Sequence, residues 1–394
     1  MKQPILPAGW SVRAVLAASL AFSLAGCGTV RGWFDGGDDA PTEPAALAEF
    51  APTATVQRLW SIDLGEGEGR LGVRQGPLVV DGRVYAAAAD GTVHAIDLQT
   101  GQVLWRHDSE ARLTGGPGAG EGVVVVGGIE GEVIALDAAT GASKWTYRVG
   151  SEVIAAPVVG QGLVLVRSND GRVTALDVAT GTRRWFWNRD VPNLSVRGND
   201  APVMGPGLVF VGNDDGTVAA LAINDGRPLW EQSIGRAEGR SELERMADVD
   251  GTPVLDDTTL FASSFKKQTV AIDAPTGRPM WASEFGGANR VGVASDRVVV
   301  SDPAGAVHAL DKANGASYWQ QAGLARRNVT GAAIHGDHAV VGDFEGYVHW
   351  LRLADGAFAA RARVGDAVRA APVVSGDVLL VQGTDGDLAA FRVQ

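Results

Sequence analysis

Asp90-Gly91-Thr92-Val93-His94-Ala95-Ile96-Asp97-Leu98-Gln99-Thr100-Gly101, followed four residues later by Trp105, is the stretch on which the reading of this chain turns, because it returns along the sequence. Glu130-Gly131 to Gly141 and Asp170-Gly171 to Gly181 repeat it closely. Asp215-Gly216 with Asp225-Gly226, and Ala304-Gly305 with Asn314-Gly315, keep both turns, while Asp273 with Thr276-Gly277 keeps the second. Glu345-Gly346 and Asp385-Gly386 complete eight copies. Trp60, Trp105, Trp145, Trp185, Trp230, Trp281 and Trp319 hold one phase at a period of about 40 residues. A period of this size marks a ring or solenoid of small units that bury their faces against one another.

Each part of the phrase has a physical reason to recur. Upstream of the first turn stands a run such as Val123-Val124-Val125-Val126 or Leu163-Val164-Leu165-Val166, apolar on both faces and suited to a strand packed on two sides. Asp-Gly or Glu-Gly supplies the positive φ of a tight hairpin, and Val-x-Ala-Leu-Asp alternates as the next strand. Asp97, Asp137, Asp177, Asp273 and Asp311 then cap a second turn by accepting backbone N–H groups. The tryptophan that follows fills the wedge between neighbouring sheets. One repeat is one four-stranded blade. The N-terminal copy supplies only a last strand, around Trp60, and the C-terminal copy from Ala371 stops without a Trp, so the two ends complete one blade. The expected fold is all-β: an eight-bladed β-propeller of four-stranded antiparallel blades, its last blade closed by the N-terminal strand.

Outside the repeat, Lys2 and Arg13 precede an apolar run from Ala14 to Leu24, which is the length of a signal-peptide core and too short to span a bilayer. It ends in Leu24-Ala25-Gly26-Cys27, which resembles a bacterial lipobox with Cys27 as the lipidated residue. Cys27 is the sole cysteine of 394 residues, so no intramolecular disulfide is available. Gly28, rather than Asp, after the cysteine implies sorting to the outer membrane. Residues 28–54, rich in Gly, Asp, Pro and Ala, read as a flexible tether. The expected organisation is therefore a signal peptide over 1–26, a lipid-anchored linker over 27–54 and the propeller over 55–394. Without the first 26 residues, 32 cationic side chains face 46 anionic ones, a balance of −14 that argues against nucleic acid as a partner.

Residues 56–394 resemble the PQQ-like repeat, Ala-Leu-Asp-x-x-Thr-Gly-x-x-x-Trp, and with the lipobox and repeat number the chain resembles the BamB family of outer-membrane protein assembly factors. That resemblance implies a non-catalytic periplasmic scaffold that docks onto a BamA-like β-barrel subunit, with unfolded outer-membrane proteins as further candidates for contact. Two inter-blade connections swell, from Trp185 to Pro202 and from Trp230 to Pro253. The resemblance places partner contacts there, at Leu194, Val196, Arg197, Asp248 and Asp250, with Val196 standing where the family often has Leu. An internal Arg–Asp brace between solvated loops is the structural alternative.

The alternatives are an enzyme, a metal-binding protein and a binder of a ligand in the central channel. A PQQ-dependent dehydrogenase implies adjacent cysteines and a calcium site, neither of which this sequence supplies. No cofactor is expected. For a metal, His94, His308 and His349 share one repeat position and read as strand-surface residues, and His335-Gly336-Asp337-His338 reads as an exposed hairpin turn, so no metal site is expected either. A ligand or peptide in the central channel is the remaining binding alternative, although no aromatic cluster or charge constellation marks the channel in the sequence.

Overall fold

The repeats fold into eight four-stranded antiparallel sheets in a computed structural model that describes residues 43–69, 72–192, 201–235, 248–249, 251–265 and 268–394. In blade 1 the spatial order is Leu78–Val80, Arg83–Ala87, Thr92–Asp97 and Val103–Asp108. Blades 2 to 7 repeat this order over 118–148, 158–188, 203–233, 254–283, 292–321 and 333–363. The second strands are the core: Val123–Gly127 is buried at every position because both of its faces pack on neighbouring blades. In blade 8, Val373–Ser375, Val378–Gln382 and Asp387–Val393 are completed by Val56–Asp63, which runs antiparallel from Val56↔Val393 to Asp63↔Asp387. The composite blade read from the sequence is present.

The second turn and the tryptophan form one joint. Asp97 Oδ1 accepts the Thr100 N–H at 2.8 Å and the Thr100 hydroxyl at 2.7 Å. The Thr100 hydroxyl, with backbone N–H groups, holds the Asp97 carboxyl below the usual carboxylate range. Gly101 follows at φ +72°, and a Cβ there would lie 2.6 Å from the Trp60 ring, so the indole of one blade sits on the glycine turn of the next. Each phased indole also donates its N–H to a carbonyl beside that turn: Trp60 to Leu98 at 2.9 Å, Trp105 to Ala138 at 3.1 Å and Trp185 to Ile223 at 2.8 Å. The tryptophans are thus hydrogen-bonded pegs as well as wedges. Blade 7 has Ala360 at the peg position, opposite Trp350. Its neighbour is the composite blade, in which the chain ends replace the turn that a peg would need.

Two expectations are corrected here. Residues 45–54, read as tether, lie against blade 7: Ala45 N–H donates to Ala325 O at 2.9 Å, Thr53 N–H to Ala359 O at 2.9 Å, and the Phe50 ring stacks on Phe358 at 5.5 Å. Their Ala and Pro content suggested a linker, but aromatic and backbone contacts fix them. His94, His308 and His349 are buried rather than on strand surfaces. His349 Nδ1 accepts from Arg361 Nε at 3.2 Å, which leaves its Nε2–H to donate to Asp343 Oδ2 at 3.0 Å. His335 is buried too, accepting the Trp350 indole N–H on Nδ1 at 3.2 Å and donating to Asp377 O at 2.9 Å, while Gly336 and Asp337 form the exposed hairpin turn read from the sequence. Among the described residues no three His, Cys, Asp or Glu side chains are grouped to hold a metal ion.

Candidate functional site: the long-loop rim

The two swollen connections leave outermost strands of adjacent blades and return to innermost strands, so they share one face of the ring. Fourteen residues separate Asn188 from Val203 and 20 separate Ser233 from Val254, against 9 between Arg148 and Val158. Leu194, Val196, Arg197 and Asp250 lie outside the described residues, as does Cys27. What the structure places are the roots of both loops, and these are rigid.

Arg189 anchors the first. Its guanidinium spans Glu231 of blade 4, with Nη1 to Oε2 at 2.6 Å and Nη2 to Oε1 at 3.0 Å, while Nε reaches Asp215 Oδ2 at 2.7 Å. The Glu231 hydrogen bonds raise the Arg189 pKa further above its ordinary value. A bidentate arginine fixes geometry better than a lysine could. The sequence offers a brace between Arg197 and Asp248 or Asp250, whereas this one joins a different pair, Arg189 and Asp215. The signal was available as Arg189 and Asp215 one blade apart in the repeat.

Asp248 and Val249 anchor the second. Phe265 N–H donates to Asp248 O at 2.8 Å and Val249 N–H to Asn213 O at 3.2 Å, while the Val249 side chain packs among Phe210, Val218 and Leu260. Asp248, named among the partner contacts by the sequence reading, is fully buried, and its backbone carbonyl ties the loop root to Phe265. Gly251 follows without room for a side chain, since a Cβ would stand 2.2 Å from Asn289 O. The rim therefore carries two long adjacent loops on fixed stems, an arrangement that presents side chains to a large partner. The same face opens into the central channel, a cavity of about 520 Å³ whose wall includes Pro202, Thr252 and Pro253 from the loop ends.

The family described as outer membrane protein assembly factor BamB matches residues 89–321. Outer membrane protein assembly factor BamB of Xanthomonas campestris is 58% identical over 97% of both chains, and that of Pseudomonas aeruginosa is 43% identical over 98% of this chain and 99% of the relative. The chain belongs to the BamB family. The crystal structure of BamB from Moraxella catarrhalis, 30% identical, superposes with a TM-score of 0.80 over 86% of this chain and the whole of that one. Quinohemoprotein alcohol dehydrogenase from Comamonas testosteroni, 17% identical, reaches a TM-score of 0.70 over 86% of this chain and 76% of that one, a likeness of fold alone. As a member of the BamB family the chain is a non-catalytic accessory factor of outer-membrane protein assembly, and the rival dehydrogenase reading is set aside by the relatives' identity.

Proposed function

We propose that this chain is a periplasm-facing scaffold subunit of the outer-membrane β-barrel assembly machinery, held to the outer membrane by lipid on Cys27 and docked to a BamA-like subunit through its two long loops. The observation that carries the docking reading is the pair of neighbouring connections rooted by Arg189 and by Asp248-Val249 on one face. Leu194, Val196, Arg197 and Asp250 supply an apolar anchor, a bidentate donor and an acceptor there.

Leu194→Ala with Arg197→Ala is expected to weaken binding to the BamA-like subunit by about 1–3 kcal/mol, roughly 5- to 150-fold in Kd, with the melting temperature unchanged. Asp248→Ala is expected to differ, lowering the melting temperature because a buried polar group is removed from the loop root. Titration and thermal melting on the same samples separate the two. Wild-type affinity in the Leu194/Arg197 variant would remove the rim from consideration.

Cys27→Ala is expected to release the protein from membranes into the soluble periplasmic fraction or leave it as uncleaved precursor. Among the described residues no helix is long and apolar enough to cross a membrane. Two or more acyl chains give stable attachment, each buried CH2 contributing about 0.8 kcal/mol. The check is fractionation after a high-salt wash in a strain lacking the BamA-like partner. Undiminished membrane retention of the variant there would exclude Cys27 as the anchor.

A further inference from the structure

The channel mouth holds a charge that no described residue neutralises. Two residues before each innermost strand the backbone turns into the channel, and that position is glycine in three blades, alanine in three and Thr252 in one, so the wall stays open. In blade 6 it is Arg290. This side chain lines the cavity of about 520 Å³ and makes no ion pair and no side-chain hydrogen bond with any described residue. It is solvent-exposed in area but ringed by protein, and that enclosure pulls its pKa below the ordinary arginine value.

The stage beneath Arg290 is fixed. Its backbone lies between two glycines of neighbouring blade entries: a Cβ on Gly251 would meet Asn289 O at 2.2 Å, and one on Gly331 would meet Arg290 O at 2.6 Å. Asn289 Nδ2 donates to Ser301 Oγ and Val329 O, both at 3.1 Å. A second guanidinium arrives from the blade 1 entry, where Arg74 Nη1 donates to Ala288 O at 3.0 Å and meets no carboxylate among the described residues. A third, Arg369, is paired with Glu68, whose pKa burial lifts to about 7 against the pull of Arg369. Around the arginines the wall is apolar, with Ile154, Pro157, Pro202, Met204, Pro253 and Leu255. Two guanidiniums that meet no carboxylate among the described residues, in a chain of net charge −12 and set in an apolar funnel of ligand size, make an anion site with room for an apolar body.

We propose that the channel mouth binds a carboxylate borne on an apolar group, with Arg290 clasping the carboxylate, Arg74 beside it and the proline-rich wall covering the apolar part. Two sources share that chemistry, a free aromatic or aliphatic acid and the C-terminal carboxylate of an extended peptide. Guanidinium geometry matches a carboxylate bidentately, and the rigid Asn289-Arg290 backbone presents the donor without an ordering cost.

The test is calorimetric titration of the intact propeller with 3-phenylpropionate and with an acetylated Ala-Val-Phe peptide carrying a free C-terminus, each beside its neutral amide. At least one acid is expected to bind, about tenfold or more tighter than its amide, and more weakly at high salt. Binding by the free-terminus peptide alone would support the site and identify a chain end as its ligand, whereas binding by the small acid would identify a diffusible one. Arg290→Met is expected to weaken the acid about tenfold or more while leaving the melting temperature unchanged, since the side chain supports no described residue. Equal binding of acid and amide, undiminished binding by Arg290→Met, or no binding by either acid at millimolar concentration would overturn the proposal.

Discussion

Removing Val56–Asp63 is expected to abolish the cooperative melting of the ring. Blade 8 would lose its outermost strand and the ladder from Val56↔Val393 to Asp63↔Asp387. Ile62 would leave the core it shares with Leu388 and Ala390, and Trp60 would vacate the Gly101 turn and the Leu98 carbonyl. Truncating a fully buried tryptophan costs about 3–5 kcal/mol, and the half-buried Trp60 contributes a part of that. With the strand it approaches the whole net stability of a domain, about 5–15 kcal/mol. A synthetic peptide spanning residues 55–64, added in excess, is expected to restore a sharp transition with a midpoint that rises with peptide concentration. Differential scanning calorimetry decides the matter. A truncated protein that melts sharply at the wild-type temperature without peptide would show that the ring does not depend on this closure.

The second large effect is expected at Arg327, where replacement by Met should destabilise the protein by about 3–5 kcal/mol. Arg327 is buried, with Nε donating to Asp343 Oδ2 at 2.7 Å, Nη1 to Ala45 O at 3.0 Å and a further bond to Glu345. Asp343 is fully buried and also takes the His349 Nε2–H. Burial pushes the Asp343 carboxyl up, yet the bonds from His349 and Arg327 more than offset this, and its pKa lies below the usual value. A carboxyl lowered on folding contributes stability that is present above its unfolded pKa of about 4 and lost as pH falls through the folded value. The His349 pKa is lowered by burial, so its contribution is full above about pH 6.5 and also falls with acid. Without Arg327 the Asp343 pKa rises, and the acid limb of the stability profile should move to higher pH. The same change leaves Ala45 held only by its N–H bond to Ala325, so proteolysis within residues 45–54 should accelerate. Urea midpoints at several pH values, with digestion time courses, read both. A variant with the wild-type midpoint and an unmoved acid limb would contradict the assignment.

The blade count and the closure were legible because they rest on local chemistry repeated many times: Asp97 and Gly101 specify a turn wherever they occur, and Trp105 needs an apolar wedge. The docked segment 45–54 was not legible, since its alanines carry no signal and its fastening comes from Phe358, Arg361 and Arg327, about 300 residues away. Asp248 looked like a loop acid because its burial depends on Asn213 and Phe265 in two other blades. Arg290 was overlooked for the opposite reason. Its position becomes meaningful only once the eight blade entries are superposed and seven prove small.

Pairing Val56–Asp63 with Asp387–Val393 also makes the first strand to be synthesised wait for the last, because 336 residues separate Val56 from Val393. At about 5–20 residues per second the wait is roughly 20–70 s. Throughout that interval blades 1 to 7 can stack in order while the outer faces of the first and seventh stay bare. The period of greatest vulnerability to aggregation is therefore set by how fast the chain is made and delivered, and a stall near its end would be more hazardous than one near its beginning.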